Sequence, residues 1–192
     1  KDLENFESSL SKFLNIKYAI GVNDGTNALI LCLLANDISY GDEVILPSHT
    51  YIATAAAIKL VGATPVFADI DLKDNLISPE SIKKIITKKT KAIMPVHLTG
   101  RMCTMDKIMN IAKKYKIPVI EDCAQSIMSQ YKNKMSGAWG DVGCFSAHPL
   151  KNLNASGDGG YLTTNNKLIY KKIKILRSHG MEESRDNIRQ FG

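Results

Sequence analysis

Lys91 to Gln125 read KAIMPVHLTGRMCTMDKIMNIAKKYKIPVIEDCAQ, and this stretch decides the fold class. Lys91 to Leu98 is apolar and short, as a buried strand is. Thr104 to Lys116, starting near Met105-Asp106, carries apolar residues at helical spacing. Pro118 to Asp122 is again short and apolar until its closing acids. A strand, a helix and a second strand in so few residues form the unit that joins neighbouring parallel strands.

The same alternation extends outward in both directions. Leu3, Phe6, Leu10, Phe13 and Leu14 lie at helical spacing in the first segment. Tyr18 to Val22 reads as a strand, and Asp24 is placed to cap a helix from about Thr26 to Ala35. Glu43 to Leu46 is a strand ended by Pro47, and an Ala-rich helix runs from about Ile52 to Val61 and stops at Gly62. Pro65 to Ile70 is strand-like. Ser78-Pro79 starts a helix with a Ser cap and Pro at the first position. Val142 to Ala147 and Tyr161 to Thr164 are further strands, followed by a basic helix from about Lys167 to His179. This alternation predicts one α/β domain over residues 1–192 with a mainly parallel sheet.

Composition narrows the function. Hydrophobic residues are 44% and charged residues 23% of 192, as in ordinary globular chains. No apolar run approaches the roughly 18 residues of a membrane helix. The net charge of +6 comes from scattered Lys and Arg without a groove-reading motif, which argues against nucleic acid. Cys32, Cys103, Cys123 and Cys144 make neither a C-x-x-C pair nor a zinc spacing with His. They read as buried thiols of a reducing cytoplasm, and no metal site is expected. The chain opens on Lys1 within an amphipathic pattern, so the reading is of a segment of a longer protein.

Ligands of open α/β sheets sit beyond the carboxyl ends of the strands. Asp122 ends one strand and Ser146 to Lys151 follow another, so both groups are expected at one rim. Gly25-Thr26 opens a helix whose free N–H groups suit a phosphate, although alone this dipeptide is more often a simple cap. Asp122 alone reads as a metal ligand, a base, a partner for a cation or a cap. Lys151, beside His148 and Pro149 and ahead of Gly157, Gly159 and Gly160, is an unusual setting for a surface lysine. His97 reads as a hydrogen-bonded structural residue.

Taken together, GDEVILPSHTYIAT, GATPVFADID, IMPVHLTG, VIEDCAQS and CFSAHPLKNLNASGDGG resemble the DegT/DnrJ/StrS-type sugar aminotransferases, over nearly the whole chain. The resemblance implies a three-layer α/β/α large domain of the pyridoxal-phosphate (PLP) transferase type, with a C-terminal small domain lying beyond this chain. It implies that Lys151 carries PLP covalently and that Asp122 pairs with its protonated ring nitrogen. Gln125 falls at the place near the ring hydroxyl, Gly25, Thr26 and Ser146 at phosphate-binding positions, and Tyr51 at the stacking aromatic. Thr99 stands where an aromatic is frequent, and Cys123 and Ala147 where relatives often have Ala and an aromatic. The implied reaction is transamination of a keto-sugar nucleotide from an amino acid donor such as glutamate, by a cytoplasmic homodimer. The alternatives are a binding or sensor protein of the same fold and a PLP-dependent sugar dehydratase. The dehydratases replace the cofactor lysine with His, and Lys151 is present here.

Overall fold

The structure, a computed structural model, describes residues 1–181. The helices are α1 (Asp2–Phe13), α2 (Gly25–Ala35), α3 (Ile52–Leu60), α4 (Pro79–Ile85), α5 (Met105–Tyr115) and α6 (Lys167–Arg177). The strands are β1 (Tyr18–Val22), β2 (Glu43–Pro47), β3 (Thr64–Ala68), β4 (Thr90–Ile93), β5 (Ile120–Asp122), β6 (Gln130–Tyr131), β7 (Lys134–Met135), β8 (Val142–Ser146) and β9 (Gly160–Thr164).

Two hydrogen-bonded groups, β1-β9-β8-β5 and β3-β2-β4, are joined by parallel bridges from Ile93 to Val119 and from Val96 to Asp122. The continuous order is therefore β1-β9-β8-β5-β4-β2-β3. Only β9 runs against its neighbours, pairing antiparallel with β1 and β8, and the other pairs are parallel. The mainly parallel sheet expected from the sequence is present.

Period-two alternation sends successive side chains to opposite faces. Val44, Leu46, Cys144 and Leu162 pack with Ala28, Leu29 and Leu33 of α2, Ile58 of α3 and Ile173 of α6. Their neighbours Ile45 and Ile93 pack with Ile82 of α4 and Ile108 and Ile111 of α5. Phe145 and Tyr161 meet Leu10 of α1 and Leu14, with their rings stacked 4.6 Å apart. Helices thus cover both faces of the sheet, which gives three layers. Both faces of β2 are sealed, which is why Val-Ile-Leu is an unbroken apolar run there.

Local chemistry sets the helix ends. Asp24 accepts from Asn27 N–H at 2.8 Å and starts α2, and the Ser78 cap with Pro79 starts α4. Gly62 takes φ 84° just past α3, a left-handed position open to glycine.

Several boundaries differ from the sequence reading. The strand expected over Lys91 to Leu98 is regular only to Ile93. Pro95 has no N–H to donate and interrupts the ladder. Its carbonyl still accepts from Asp122 N–H at 2.9 Å, and the chain then tightens into a 3-10 turn at Leu98–Gly100. The strand expected to reach Ile70 ends at Ala68, and Ile70 bridges alone to Ile77. The last helix stops at Arg177 rather than His179, where the backbone turns left-handed at φ 58°. The β6–β7 hairpin was not read from the sequence. Its turn residues Lys132 and Asn133 both have positive φ, the tight-hairpin geometry that Asn favours.

Candidate active site

A cleft of about 440 Å³ opens at the carboxyl rim of the sheet, and Gly25, Thr26, Tyr51, Asp122, Gln125, Ser146 and Lys151 all line it. Four separate stretches of sequence are brought together there. A larger, shallower groove of about 850 Å³ lies at the opposite rim between Asp42, Thr90, Tyr115 and Pro118, and holds none of these residues.

Asp122 ends β5 and forms the buried floor of the cleft. Its Oδ1 accepts from Ala124 N–H at 3.1 Å and its Oδ2 from the Thr54 hydroxyl at 2.9 Å. Thr54 also pairs with the Thr50 hydroxyl at 2.8 Å. Because Thr54 gives its proton to Asp122, Thr50 must donate to Thr54. Burial raises the Asp122 carboxyl above its ordinary range, against the opposing pull of these two bonds and of the Lys151 charge. Two donors leave carboxylate capacity unspent, so the site is suited to a cation placed in the cleft.

The other end of the cleft suits an anion. Asn27 occupies the Asp24 carboxylate through its backbone and its side-chain amide. The N–H groups of Gly25 and Thr26 lie in the first turn of α2, beside the hydroxyls of Thr26 and Ser146. A Cβ on Gly25 would stand 2.8 Å from Ser146 Cβ, so the helix reaches Ser146 only because position 25 lacks a side chain. Gly160 serves the same approach from β9, where a Cβ would lie 2.5 Å from the Asp24 backbone.

Lys151 lies in the loop between β8 and β9 and enters no salt bridge among the described residues. The loop is clasped at its base, where Ala147 N–H donates to Gly159 O at 2.7 Å and Ala155 N–H to Ala147 O at 2.8 Å. Tyr51, 70% exposed at the start of α3, stands at the mouth of the cleft.

Behind Asp122 lies a fully buried network. Glu121 accepts from the N–H groups of Gly137, Trp139 and Gly140 at 3.1, 2.8 and 2.7 Å. His97 Nε2 meets Glu121 Oε2 at 2.9 Å, while its Nδ1 accepts from Cys103 N–H at 3.2 Å. His97 is therefore the structural residue expected. With Cys123, this pair forms a cluster of metal-binding residue types. Its nitrogen and carboxylate atoms are spent on protein bonds, and burial pushes the Cys123 thiol up to about 12. Chemistry and burial make this cluster a frame rather than a metal centre.

Sequence reasoning missed Thr54. The signal was a lone hydroxyl in the apolar helix IATAAAIKL, where a buried Thr needs a partner. It also missed Glu121 as an anchor and the contact made by Thr99, whose N–H donates to Gln125 Oε1 at 2.7 Å.

A three-layer sheet domain with an amine, a buried carboxylate and an anion-binding helix end at one rim is of the kind built to seat a phosphorylated organic cofactor. The chain belongs to the DegT/DnrJ/EryC1/StrS aminotransferase family, whose profile matches residues 1–191. It is 45% identical over 174 residues to UDP-N-acetyl-3-dehydro-alpha-D-glucosamine 3-aminotransferase of Acidithiobacillus ferrooxidans, covering 91% of this chain and 47% of that one. Identity is 46% over 187 residues to dTDP-3-amino-3,6-dideoxy-alpha-D-galactopyranose transaminase of Aneurinibacillus thermoaerophilus, over 97% of this chain and 52% of the relative. Among solved structures, NtdA of Bacillus subtilis with bound cofactor PMP superposes with a TM-score of 0.93 at 36% identity, over 99% of this chain and 43% of that one. The chain spans about half the length of the curated relatives it matches.

Proposed function

We propose that residues 1–192 are the PLP-binding large domain of an aminotransferase that moves an amino group from an amino acid, glutamate in our reading, to a keto-sugar nucleotide. The observation that carries this is the meeting of Lys151, Asp122 and the α2 N-terminus in one cleft. The residues present fit the cofactor. Asp122 has carboxylate capacity for a ring N–H, and the close approach of Gly25 to Ser146 makes a cradle that any side chain would fill. Two relatives are named for transaminations of UDP- and dTDP-linked sugars, and a structural neighbour carries PMP, the amine form of PLP.

When bound, PLP supplies an aldehyde that condenses with amines and a ring that withdraws electrons from the attached carbon. The chain's residues supply the rest. Thr26, Ser146 and the N–H groups that open α2 hold the phosphate. Asp122 keeps a proton on the ring nitrogen. Tyr51 would close one ring face by stacking, and Gln125 would meet the ring's phenolic oxygen. Lys151 would hold the aldehyde carbon through its side-chain amine. With that amine free, its Nζ would take a proton from the donor α-carbon in one half of the cycle and deliver one to the acceptor carbon in the other.

The intact Lys151 and Asp122 place this reading above a non-catalytic binding protein of the same fold. A cytoplasmic homodimer completes it. All four cysteines are free and buried, and Tyr51, Ile52 and Leu150 are 70%, 71% and 88% exposed beside the cleft, as residues awaiting a second subunit are. Among the described residues no helix is long and apolar enough to cross a membrane.

The test is to load the full-length protein with PLP, reduce it with borohydride and locate the adduct by mass spectrometry. A single pyridoxyl group on Lys151 is expected, followed by turnover with glutamate and a panel of keto-sugar nucleotides. Labelling spread over surface lysines would sink the proposal.

A further inference from the structure

The turn Leu98–Gly100 contains the least comfortable backbone bordering the cleft. Thr99 has φ 55° and ψ 23°, a left-handed conformation that a β-branched residue rarely adopts. Gly100 follows at φ 80°. The turn is clipped to the segment after β5 at two points. Thr99 N–H donates to Gln125 Oε1 at 2.7 Å, and the Ser129 hydroxyl donates to Gly100 O at 2.6 Å. The Thr99 hydroxyl donates to Leu98 O at 2.7 Å and so helps hold the bend.

A backbone N–H can only donate, so the Gln125 atom facing it is the oxygen. A flipped amide would set two donors against each other. The other end of the amide, Nε2, has no protein acceptor among the described residues, and Gln125 lines the cleft. We propose that Thr99 is a positioning residue: its N–H, presented by a strained left-handed turn, locks the Gln125 amide so that its –NH₂ faces the cleft purely as a donor. On the reading that PLP binds here, that donor selects an electron-rich ring oxygen and disfavours a ligand that brings its own proton to this place.

Hydrogen exchange of the full-length protein, resolved to single residues by electron-transfer fragmentation, tests the clip without any cofactor. The Thr99 amide is on the surface, so the Gln125 oxygen is what shields it. Wild type should show Thr99 protected at least tenfold over its unstructured rate. Gln125→Ala should abolish that protection while flanking amides keep theirs. Gln125→Glu should retain it, because a carboxylate still accepts from Thr99.

PLP uptake, followed by cofactor fluorescence, then tests the orientation. Gln125→Glu should weaken uptake at least tenfold at neutral pH, with recovery as the pH falls and the carboxyl regains a proton to donate. Gln125→His, which restores a donor, should bind better than Gln125→Glu at neutral pH. Unprotected Thr99 in wild type overturns the inference whatever the cofactor does. So does a Gln125→Glu protein that binds PLP as wild type does, because it puts an acceptor in the cleft. Wild type that protects Thr99 but takes up no PLP instead sinks the aminotransferase reading, and the clip stands.

Discussion

The Thr54 hydroxyl donates to Asp122 Oδ2 at 2.9 Å, and Thr54 in turn receives the proton of Thr50. A hydroxyl on a helix at one side of the sheet thus supports the ionised form of a carboxylate at the end of β5, against the larger effect of burial. Thr54→Val removes a bond that favours the ionised form and should raise the Asp122 carboxyl further. We expect PLP affinity to fall about tenfold, the value of one charge-assisted bond. The loss should begin at higher pH than in wild type as acid is added, because Asp122 must be charged to hold the ring proton. Fluorescence titrations of PLP across a pH series measure this.

In the cofactor-free protein the sign reverses. Burial holds the Asp122 carboxyl above its unfolded value, so its contribution to stability is complete in acid and is lost as pH rises through the folded value. Asp122→Asn has no charge to bury. Its melting temperature should exceed that of wild type at neutral pH, with the gap closing as the pH falls toward the ordinary carboxylate range. Scanning calorimetry of both proteins without PLP is the check. The same variant should transfer amino groups at least about a hundredfold more slowly, because the ring proton is no longer held.

Lys151→Ala should lower turnover by about a thousandfold or more and abolish the borohydride-fixed adduct. Its phosphate contacts remain, so PLP should still bind, reversibly and with the spectrum of the free aldehyde. Single-turnover kinetics and absorbance spectra together separate lost chemistry from lost binding.

Two glycines hold the start of α2 against the sheet. Gly25→Ala sets a methyl 2.8 Å from Ser146 Cβ and 3.2 Å from its Cα, atoms carried by the backbone of β8, so the strand or the helix start must shift and spread the phosphate cradle. Weaker PLP binding together with lower stability is expected, read by fluorescence titration and urea denaturation. Gly160→Ala meets the Asp24 backbone at 2.5 Å, where only the strand or the helix start can yield. It should cost about 1–3 kcal/mol in urea denaturation, as other overpacked sites do.

Thr99→Gly should stabilise the protein by about 1 kcal/mol, because glycine takes the left-handed turn without the clash that a Cβ brings. The loss of the Thr99–Leu98 hydrogen bond offsets part of this gain. Chemical denaturation of the full-length protein gives the sign.

Much of this molecule was legible before its coordinates. The alternation in KAIMPVHLTG and PVIEDCAQ set the parallel strands, and Asp24, Ser78-Pro79 and Gly62 marked helix ends because their chemistry is local. The seven residues of the cleft share a rim for a topological reason, since each follows the carboxyl end of a strand or opens the helix after one. What was hidden depended on partners far along the chain. Thr54 gains its meaning from Asp122, 68 positions away, and Glu121 from three N–H groups beyond the β6–β7 hairpin. The early end of β4 at Ile93 follows from Pro95, whose missing donor outweighs the apolar run around it. The reversed direction of β9 could not be read from five residues of strand.

That reversal has a mechanical consequence. Because β9 runs back beside β8, the segment carrying Lys151 leaves the sheet and rejoins it at neighbouring places on one edge, with Ser146 paired to Gly160. Asp122, by contrast, is welded into the strand lattice between Pro95 and Cys144. The amine rides on a closed bight of chain whose two feet are planted side by side, and the carboxylate beneath it is part of the deck.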